Sequence, residues 1–441
     1  MWILPRFSMI KGDNIMFSIG LMSGTSMDGI DVALIETDGE YHIKEITNLF
    51  LDYDRETKIL LKAAEYAFRC HKDNSQLVYE QFSSLMVERY LVEEMKVSLE
   101  EAILQTKTIQ HVLKEEISFS ALIKHSTDLH IAAVEALFHL NPEMQKQINV
   151  IGYHGQTLFH RPAIGVSVIV GDGQRMANVL GVTVVNDFRS QDIREGGEGA
   201  PLAPIYHHAL AMKDHRYPVA VVNCGGIANV TFIVETKAEK LIAFDTGPGN
   251  ALIDRLVKQR SNGERHMDEH GMYGKHGRVD QLTLEKLYEK AVMKEGKNFF
   301  LLPPPKSLDS GDMSLIPELQ ALSLEDACRT LEAFTADTIV KSVEYLSGGI
   351  PREWVLVGGG WNNPVIYDEL CARLKMKISK DVLVYQAKEI GWNSQAMEAQ
   401  LMAYLAVRCL QKKAISFPGT TGVTKASCGG NVSFSRRRED A

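Results

Sequence analysis

The sequence predicts an α/β fold with two similar lobes and a cleft between them. Short runs rich in Val, Ile and Leu, each closed by a glycine-bearing or polar turn, alternate with stretches of helical periodicity. A strand, a tight turn of small residues and a returning strand occur twice, at Phe17–Ile35 and Val219–Val234. Duplicated hairpins imply duplicated lobes, whose turns could grip a phosphorylated ligand from both sides of a cleft. The expected division is 1–212 for the first lobe and 213–430 for the second, with the last helix free to pack back on the first, and 431–441 as a flexible tail.

Composition narrows the class. The 441 residues carry 48 Lys+Arg against 56 Asp+Glu, a net charge of −8, and are 45% hydrophobic, which excludes general disorder. Six scattered cysteines form no C-x-x-C pair and read as reduced thiols. The acidic balance argues against a nucleic-acid partner; Arg436, Arg437 and Arg438 form the one basic cluster and read as a solvated tail. No run of about 18 apolar residues occurs and the first residues lack a secretory pattern, so a cytoplasmic protein with no membrane partner is expected.

Taken in order, the first fourteen residues read as a loose extension. Strands follow at 16–20 and 30–35, enclosing the loop "LMSGTSMDG". From about 56 to 138 the apolar spacing is helical, through Leu77, Tyr79, Phe82, Leu85, Met86 and Tyr90, then Leu129, Ala132, Val134 and Leu137. This segment reads as scaffold, its charged middle at 93–116 as solvent-facing. Strand patterns then end at "GYHGQT", "NDFR", "NCGGIANVT", "DTGPGN" and "GGGWNN", with helices near 250–258, 282–294, 323–346 and 394–412. Ser323-Leu324-Glu325-Asp326 is a capped helix start.

Glycine, serine and threonine loops bring backbone N–H groups close to phosphate oxygens. "SGTSMDG" is such a loop, and Asp28 and Asp31 put a carboxylate within reach of a hydrated Mg²⁺ on nucleotide phosphates. Read alone it is equally an ordinary polar turn. Three further glycine turns at strand ends, where ligands bind in open α/β sheets, favour the ligand reading. Neither G-x-x-x-x-G-K-[ST] nor a complete G-x-G-x-x-G occurs. For proton transfer, Asp187 ends the apolar strand 182–185; alternation would put it beside Arg189, whose guanidinium would keep it ionised, although a plain salt bridge accounts for the same pattern. His154 follows a strand as either a hydrogen-bonded structural residue or a catalytic one. Glu398, on an apolar helix, wants a partner or a ligand.

These motifs, with "PPPKSLDSGD" and "EAQLMAYLA", run in order from about residue 17 to 423, and the chain resembles the anhydro-N-acetylmuramic acid kinase family. The resemblance implies an actin/hexokinase/sugar-kinase-type fold and MgATP as phosphoryl donor. It implies hydrolytic opening and O6 phosphorylation of 1,6-anhydro-N-acetylmuramic acid in peptidoglycan recycling, by a cytoplasmic homodimer. It makes Asp187 the catalytic base. ATP contacts would come from Gly24, Thr25, Ser26, Met27, Asp28, Gly29, Ile30 and Asp31, from Gly225 and Gly226, and from Gly358, Gly359 and Gly360. His154, Arg189 and Glu398 would lie at the sugar, with no certain metal ligand beyond Asp28 through water. Departures from the family pattern are Cys224 in place of Ile, "KSLDSGD" in place of "KSTGRE", and the long segment near 90–125. The competing readings are another phosphotransferase or phosphohydrolase of the same fold, and a non-enzymatic actin-like or sugar-sensing protein.

Overall fold

A computed structural model describes residues 15–24, 26–71, 74–161, 164–293, 296–308 and 311–435. The expected N-terminal extension, Thr25 and the basic cluster Arg436–Arg438 lie outside the described residues. The chain forms two compact units, one of residues through Arg194 with Glu398–Ile415 and the segment from Cys428, the other of Glu195–Met397 with Ser416–Ser427.

The first unit opens with β1 (Met16–Ser23), β2 (Gly29–Thr37) and β3 (Ile43–Asp52), an antiparallel meander. Five helices follow: α1 (Arg55–Cys70), α2 (Ser75–Gln81), α3 (Ser84–Glu93), α4 (Leu99–Leu113) and α5 (Phe119–Leu140). Four of these starts are set by side-chain caps, since Asp54, Asn74, Ser98 and Ser118 each accept a hydrogen bond from a backbone N–H of the first turn, whereas Ser83 before α3 makes no such bond. Tyr79 and Leu85, expected on the apolar face, are exposed. The chain continues through β4 (Ile148–Arg161), β5 (Val166–Val170), α6 (Gly173–Leu180), β6 (Thr183–Asn186) and α7 (Ser190–Arg194). β4 runs parallel to both β1 and β6.

The second unit starts at α8 (Pro204–Lys213), which packs on the second sheet. Residues 195–212, expected in the first lobe, therefore fold with the second. The hairpin β7 (Val219–Cys224) and β8 (Ile227–Ile233) is followed by β9 (Ile242–Pro248) and α9 (Ala251–Arg260). Next come α10 (Gln281–Glu289), α11 (Leu324–Lys341, capped by Ser323), β10 (Glu353–Val357), α12 (Pro364–Lys377) and β11 (Leu383–Gln386). α13 (Met397–Leu410) contributes Glu398–Leu410 to the first unit, α14 (Pro418–Thr421) belongs to the second, and β12 (Asn431–Ser433) closes the first sheet beside β6.

The two sheets repeat one plan. β3-β2-β1-β4-β6 and β9-β8-β7-β10-β11 each place three antiparallel strands beside two parallel ones. The expected duplicated α/β architecture is present, with a separate apolar core in each unit. The tail expectation fails at its start, and one strand went unread. Residues 431–433 form a strand instead of the start of a loose tail, because Val432 pairs with Val185 and Gly429 lets the chain pass against the Phe188 carbonyl. β3 also escaped the sequence reading: it is an edge strand whose outer residues are largely exposed, so its apolar alternation is weak.

Within the first unit α13 lies directly on the strands. A Cβ at Gly20 would strike the backbone at Ala399 and Ala403, one at Gly152 would strike the Met402 carbonyl, and Ser18 Oγ donates to the Ala403 carbonyl at 2.8 Å. Gly152→Val is therefore expected to cost about 1–3 kcal/mol of stability through overpacking against backbone that cannot yield, measured by urea unfolding; a cost under about 0.5 kcal/mol, as at an ordinary surface site, would contradict this packing.

Candidate active site

The β1–β2 turn is held from beneath. Met27 sits in a left-handed conformation with φ of 59°, is buried, and donates its N–H to the Gly24 carbonyl at 3.1 Å. Gln156 Nε2, from β4, donates to the same carbonyl at 2.9 Å, and the Tyr53 N–H donates to the Asp28 carbonyl at 2.9 Å. Gly29 is glycine for packing reasons, lying against the Leu51 carbonyl, and Ile30 is core. Ser26 and Asp28 are exposed.

A buried relay fixes the end of β1. Ser23 Oγ lies 2.7 Å from Tyr53 Oη and 3.0 Å from His130 Nε2, and His130 Nδ1 lies 2.7 Å from the Ser126 carbonyl. That carbonyl can only accept, so Nδ1 carries the proton, Nε2 accepts from Ser23, and Ser23 accepts from Tyr53. Burial pushes the His130 imidazole down to about 4, so the ring stays neutral. The helical segment read as scaffold thus reaches the turn through α5. Ser23 opens the loop read from the sequence, but no sequence signal marked Tyr53 or His130 as its partners, because the Ser23–His130 contact joins residues 107 positions apart.

In the second unit the β7–β8 turn is tied to the start of α9. Asn250 donates its N–H to the Gly225 carbonyl at 2.8 Å, while Gly249 and Ala251 donate theirs to the Gly226 carbonyl at 2.9 and 3.1 Å. Gly358, with φ of 95°, and Gly360 both lie against Cys224 at the end of β7. Their size is explained by packing. Gly24, Gly225, Gly226 and Gly359 differ: their φ angles are not left-handed, and a Cβ at any of them would meet nothing of the protein closer than 3.6 Å. Backbone at these four positions can be approached closely by a ligand.

Asp187 stands just after β6 with φ of 55°. The left-handed turn ends strand alternation at Asn186, so the expected pairing with Arg189 does not form. Instead Oδ1 accepts from Ser190 N at 3.2 Å and Ser190 Oγ at 2.6 Å, and Oδ2 accepts from Asn431 Nδ2 at 3.1 Å. A carboxylate offers about four lone-pair positions. Three are taken, and one on Oδ2 is left.

Arg189 faces the other way. Its Nε donates to His154 Nε2 at 3.2 Å, and its charge faces Glu398 and Asp192. His154 is 2% exposed, and its Nδ1 donates to the Gly155 carbonyl at 2.9 Å. Burial, reinforced by the Arg189 charge, holds the imidazole down to about 3, so it is a neutral acceptor. Glu398, expected on an apolar face, is instead open to solvent in the first turn of α13. Protein crowds it nonetheless, and that desolvation raises its carboxyl above the ordinary range while Arg189 opposes the rise. Asp31, on β2, is pushed up to about 6 by burial and then by Glu398. Asp31, Glu398, Arg189 and His154 thus form one electrostatic cluster in the first unit, with a guanidinium oriented by a neutral imidazole and flanked by two carboxyl groups of raised proton affinity. Among the described residues no group of three or more His, Cys, Asp or Glu is placed to hold a metal ion.

The family model for anhydro-N-acetylmuramic acid kinase matches residues 72–435. The anhydro-N-acetylmuramic acid kinase of Rhizorhabdus wittichii is 38% identical over 418 residues, covering 94% of this chain and 98% of its own. That of Zymomonas mobilis is 37% identical over 424 residues, covering 95% and 100%. Among solved structures, a ROK-family glucokinase from Streptomyces griseus in complex with glucose and AMPPNP aligns at a TM-score of 0.37 with 11% identity, over 88% of this chain and 99% of that one, too slight a likeness to bear on the site. Relatedness at this level along nearly the full length means that the chain belongs to the anhydro-N-acetylmuramic acid kinase family.

Proposed function

We propose that this chain is an ATP-dependent kinase that opens the 1,6-anhydro ring of 1,6-anhydro-N-acetylmuramic acid with water and phosphorylates O6, giving N-acetylmuramate 6-phosphate and ADP. Near full-length kinship to proteins of that name carries the reading. The reaction belongs to recycling of cell-wall peptidoglycan. A cytoplasmic homodimer is part of the same proposal; no helix among the described residues is long and apolar enough to cross a membrane.

Asp187 is the proposed catalytic base. Its Oδ2 retains a lone pair for the proton of an attacking water, while Ser190 and Asn431 fix the carboxylate so that reorientation does not compete with transfer. Water adds at the anomeric carbon and its proton passes to Asp187. The C1–O6 bond breaks, and the released O6 attacks the γ-phosphorus of ATP as the bond to ADP breaks. Arg189 and Glu398 are the proposed sugar contacts. His154, buried and doubly bonded, acts by orienting Arg189. ATP contacts are assigned to Gly24–Asp31, to Gly225 and Gly226, and to Gly358–Gly360, with the approachable backbone of Gly24, Gly225, Gly226 and Gly359 as their support. Mg²⁺ would arrive with the nucleotide: exposed Asp28 is the one carboxylate on the turn itself and suits an ion that keeps most of its waters. Such an ion would neutralise phosphate charge; positioning falls to the backbone turns.

Asp187→Asn keeps the shape and removes the proton acceptor. Turnover is expected to fall by about 10²–10⁴-fold with ATP affinity nearly unchanged, read by coupled ADP release and nucleotide titration; retention of more than a few per cent of wild-type turnover would refute the assignment. At Gly24→Val the new Cβ meets no protein atom closer than Ser26 Oγ at 3.6 Å, an ordinary contact, so its effect reports on the ligand. Its KM for ATP is expected to rise about tenfold or more, equivalent to about 1.4 kcal/mol of lost binding, with little change in the KM for the sugar; equal rises in both would reject the phosphate-turn assignment.

A further inference from the structure

The second unit contains a buried acidic pair that the chemistry above does not use. Glu332, in the middle of α11, is 0% exposed. Its Oε1 accepts from Asn363 Nδ2 at 2.7 Å, and Oε2 has no ordinary donor. The carboxyl lies against Gly274, where any Cβ would collide with it. Asp268, 5% exposed, is held at the same glycine, its two oxygens accepting the N–H groups of Tyr273 and Gly274 at 2.8 and 3.0 Å, so the two carboxyl groups face each other's charge. Two carboxyl groups gathered at one glycine in a dry interior are not both readily ionised. Asp268 has backbone donors for its charge, whereas Glu332 has one neutral amide. The proton therefore belongs on Glu332 Oε2, which turns an orphaned acceptor into the donor the pair requires.

The partner at the other oxygen, Asn363, links this proton to a neighbouring turn. Asn363 caps α12, its Oδ1 accepting the Val365 N–H at 3.0 Å, and it ends the turn that begins at Gly358. Gly271, left-handed with φ of 65°, packs against that same Oδ1. Asn363 is thus clamped between Glu332 and the 268–274 loop. We infer that protonated Glu332 is a positioning residue, donating to Asp268 and accepting from Asn363, and that it thereby sets the Gly358–Asn363 turn in its ATP-binding form. The inference rests on the proposed assignment of that turn to ATP.

Charged neighbours agree with this placement. Arg329, one turn back on α11, is engaged by Glu369 at 2.7 Å and lowers the proton affinity of Glu332 only weakly; the Cys328 thiol and Asp254 of α9 lie beyond the pair. Burial is the main cause that pushes Glu332 up to about 8, with Asp268 adding to it and the Asn363 bond opposing. A carboxyl whose folded value exceeds its unfolded one contributes stability at low pH that is lost as pH rises. Here the loss begins near the unfolded value of about 4.5 and is complete just above 8.

The test compares wild type with Glu332→Gln, whose amide can donate to Asp268 and accept from Asn363 but cannot ionise. Tm and the KM values for ATP and for the sugar are measured from pH 6 to 9. In wild type the KM for ATP is expected to rise up to about tenfold one unit above the transition, the KM for the sugar staying flat, and Glu332→Gln is expected to bind ATP normally with neither this rise nor the decline in Tm that precedes it between pH 6 and 8. Glu332→Ala, which loses both bonds, is expected to raise the KM for ATP at every pH. Identical pH profiles for wild type and Glu332→Gln would overturn the inference. A Tm difference without a difference in the ATP profile would overturn the positioning role, while the ATP reading of the first unit remains separately testable through Gly24→Val.

Discussion

The first unit depends on a helix lying with its backbone directly on two strands. α13 can approach β1 and β4 only because residues 20 and 152 are glycines, and Ser18 anchors the contact by bonding the Ala403 carbonyl. Close approach of this kind has little room for adjustment, since any side chain at either glycine meets backbone and not a flexible group. The helix starts at the cluster, so its position brings Glu398 toward Arg189 and Asp31. β1, pinned from above by α13, ends at Ser23 and runs into the turn at Gly24. One packing contact thus sets both the acidic cluster and the turn proposed for phosphate.

Desolvation governs the electrostatics. Burial is the first cause of the shifts at His154, Arg189, Glu398 and Asp31, with the charges among them second. The consequence is a division of labour. His154 is fixed as a neutral acceptor, which orients Arg189 as a permanent cation; Asp31 and Glu398 hold protons more tightly than free carboxylates. Asp187 stands outside this cluster's hydrogen bonds, held by neutral donors only. A carboxylate tied to a guanidinium would be a weaker base, so the absence of the expected Arg189 pairing suits the role proposed for Asp187 better than its presence would.

Much of this was legible in the chain. Glycine turns after apolar runs marked β1–β2, β7–β8 and β10, and the duplicated hairpin marked the repeated sheet plan, because strand periodicity and turn chemistry are local properties. What escaped is non-local. Asp187 and Arg189 were assigned to one face by alternation, but the left-handed φ at 187 is set by capping Ser190 and by a strand arriving from residue 431. The Ser23–His130 bond and the Glu332–Asp268 pair join segments far apart in sequence, and each of those residues taken alone looks like ordinary helix, strand or loop content. Among the glycines, sequence could not separate Gly358 and Gly360, small because Cys224 is against them, from Gly359, which nothing in the protein requires to be small.

The central claim is that one acid makes solvent attack a sugar carbon before phosphate is transferred, which fixes the origin of an oxygen atom. Turnover of 1,6-anhydro-N-acetylmuramic acid with ATP in ¹⁸O-labelled water, followed by mass spectrometry of the product fragments, locates that atom. The account requires a single label in the C1 hydroxyl and none in the phosphoryl group or at O6. Label in the phosphate, or a product with unlabelled C1, would contradict it.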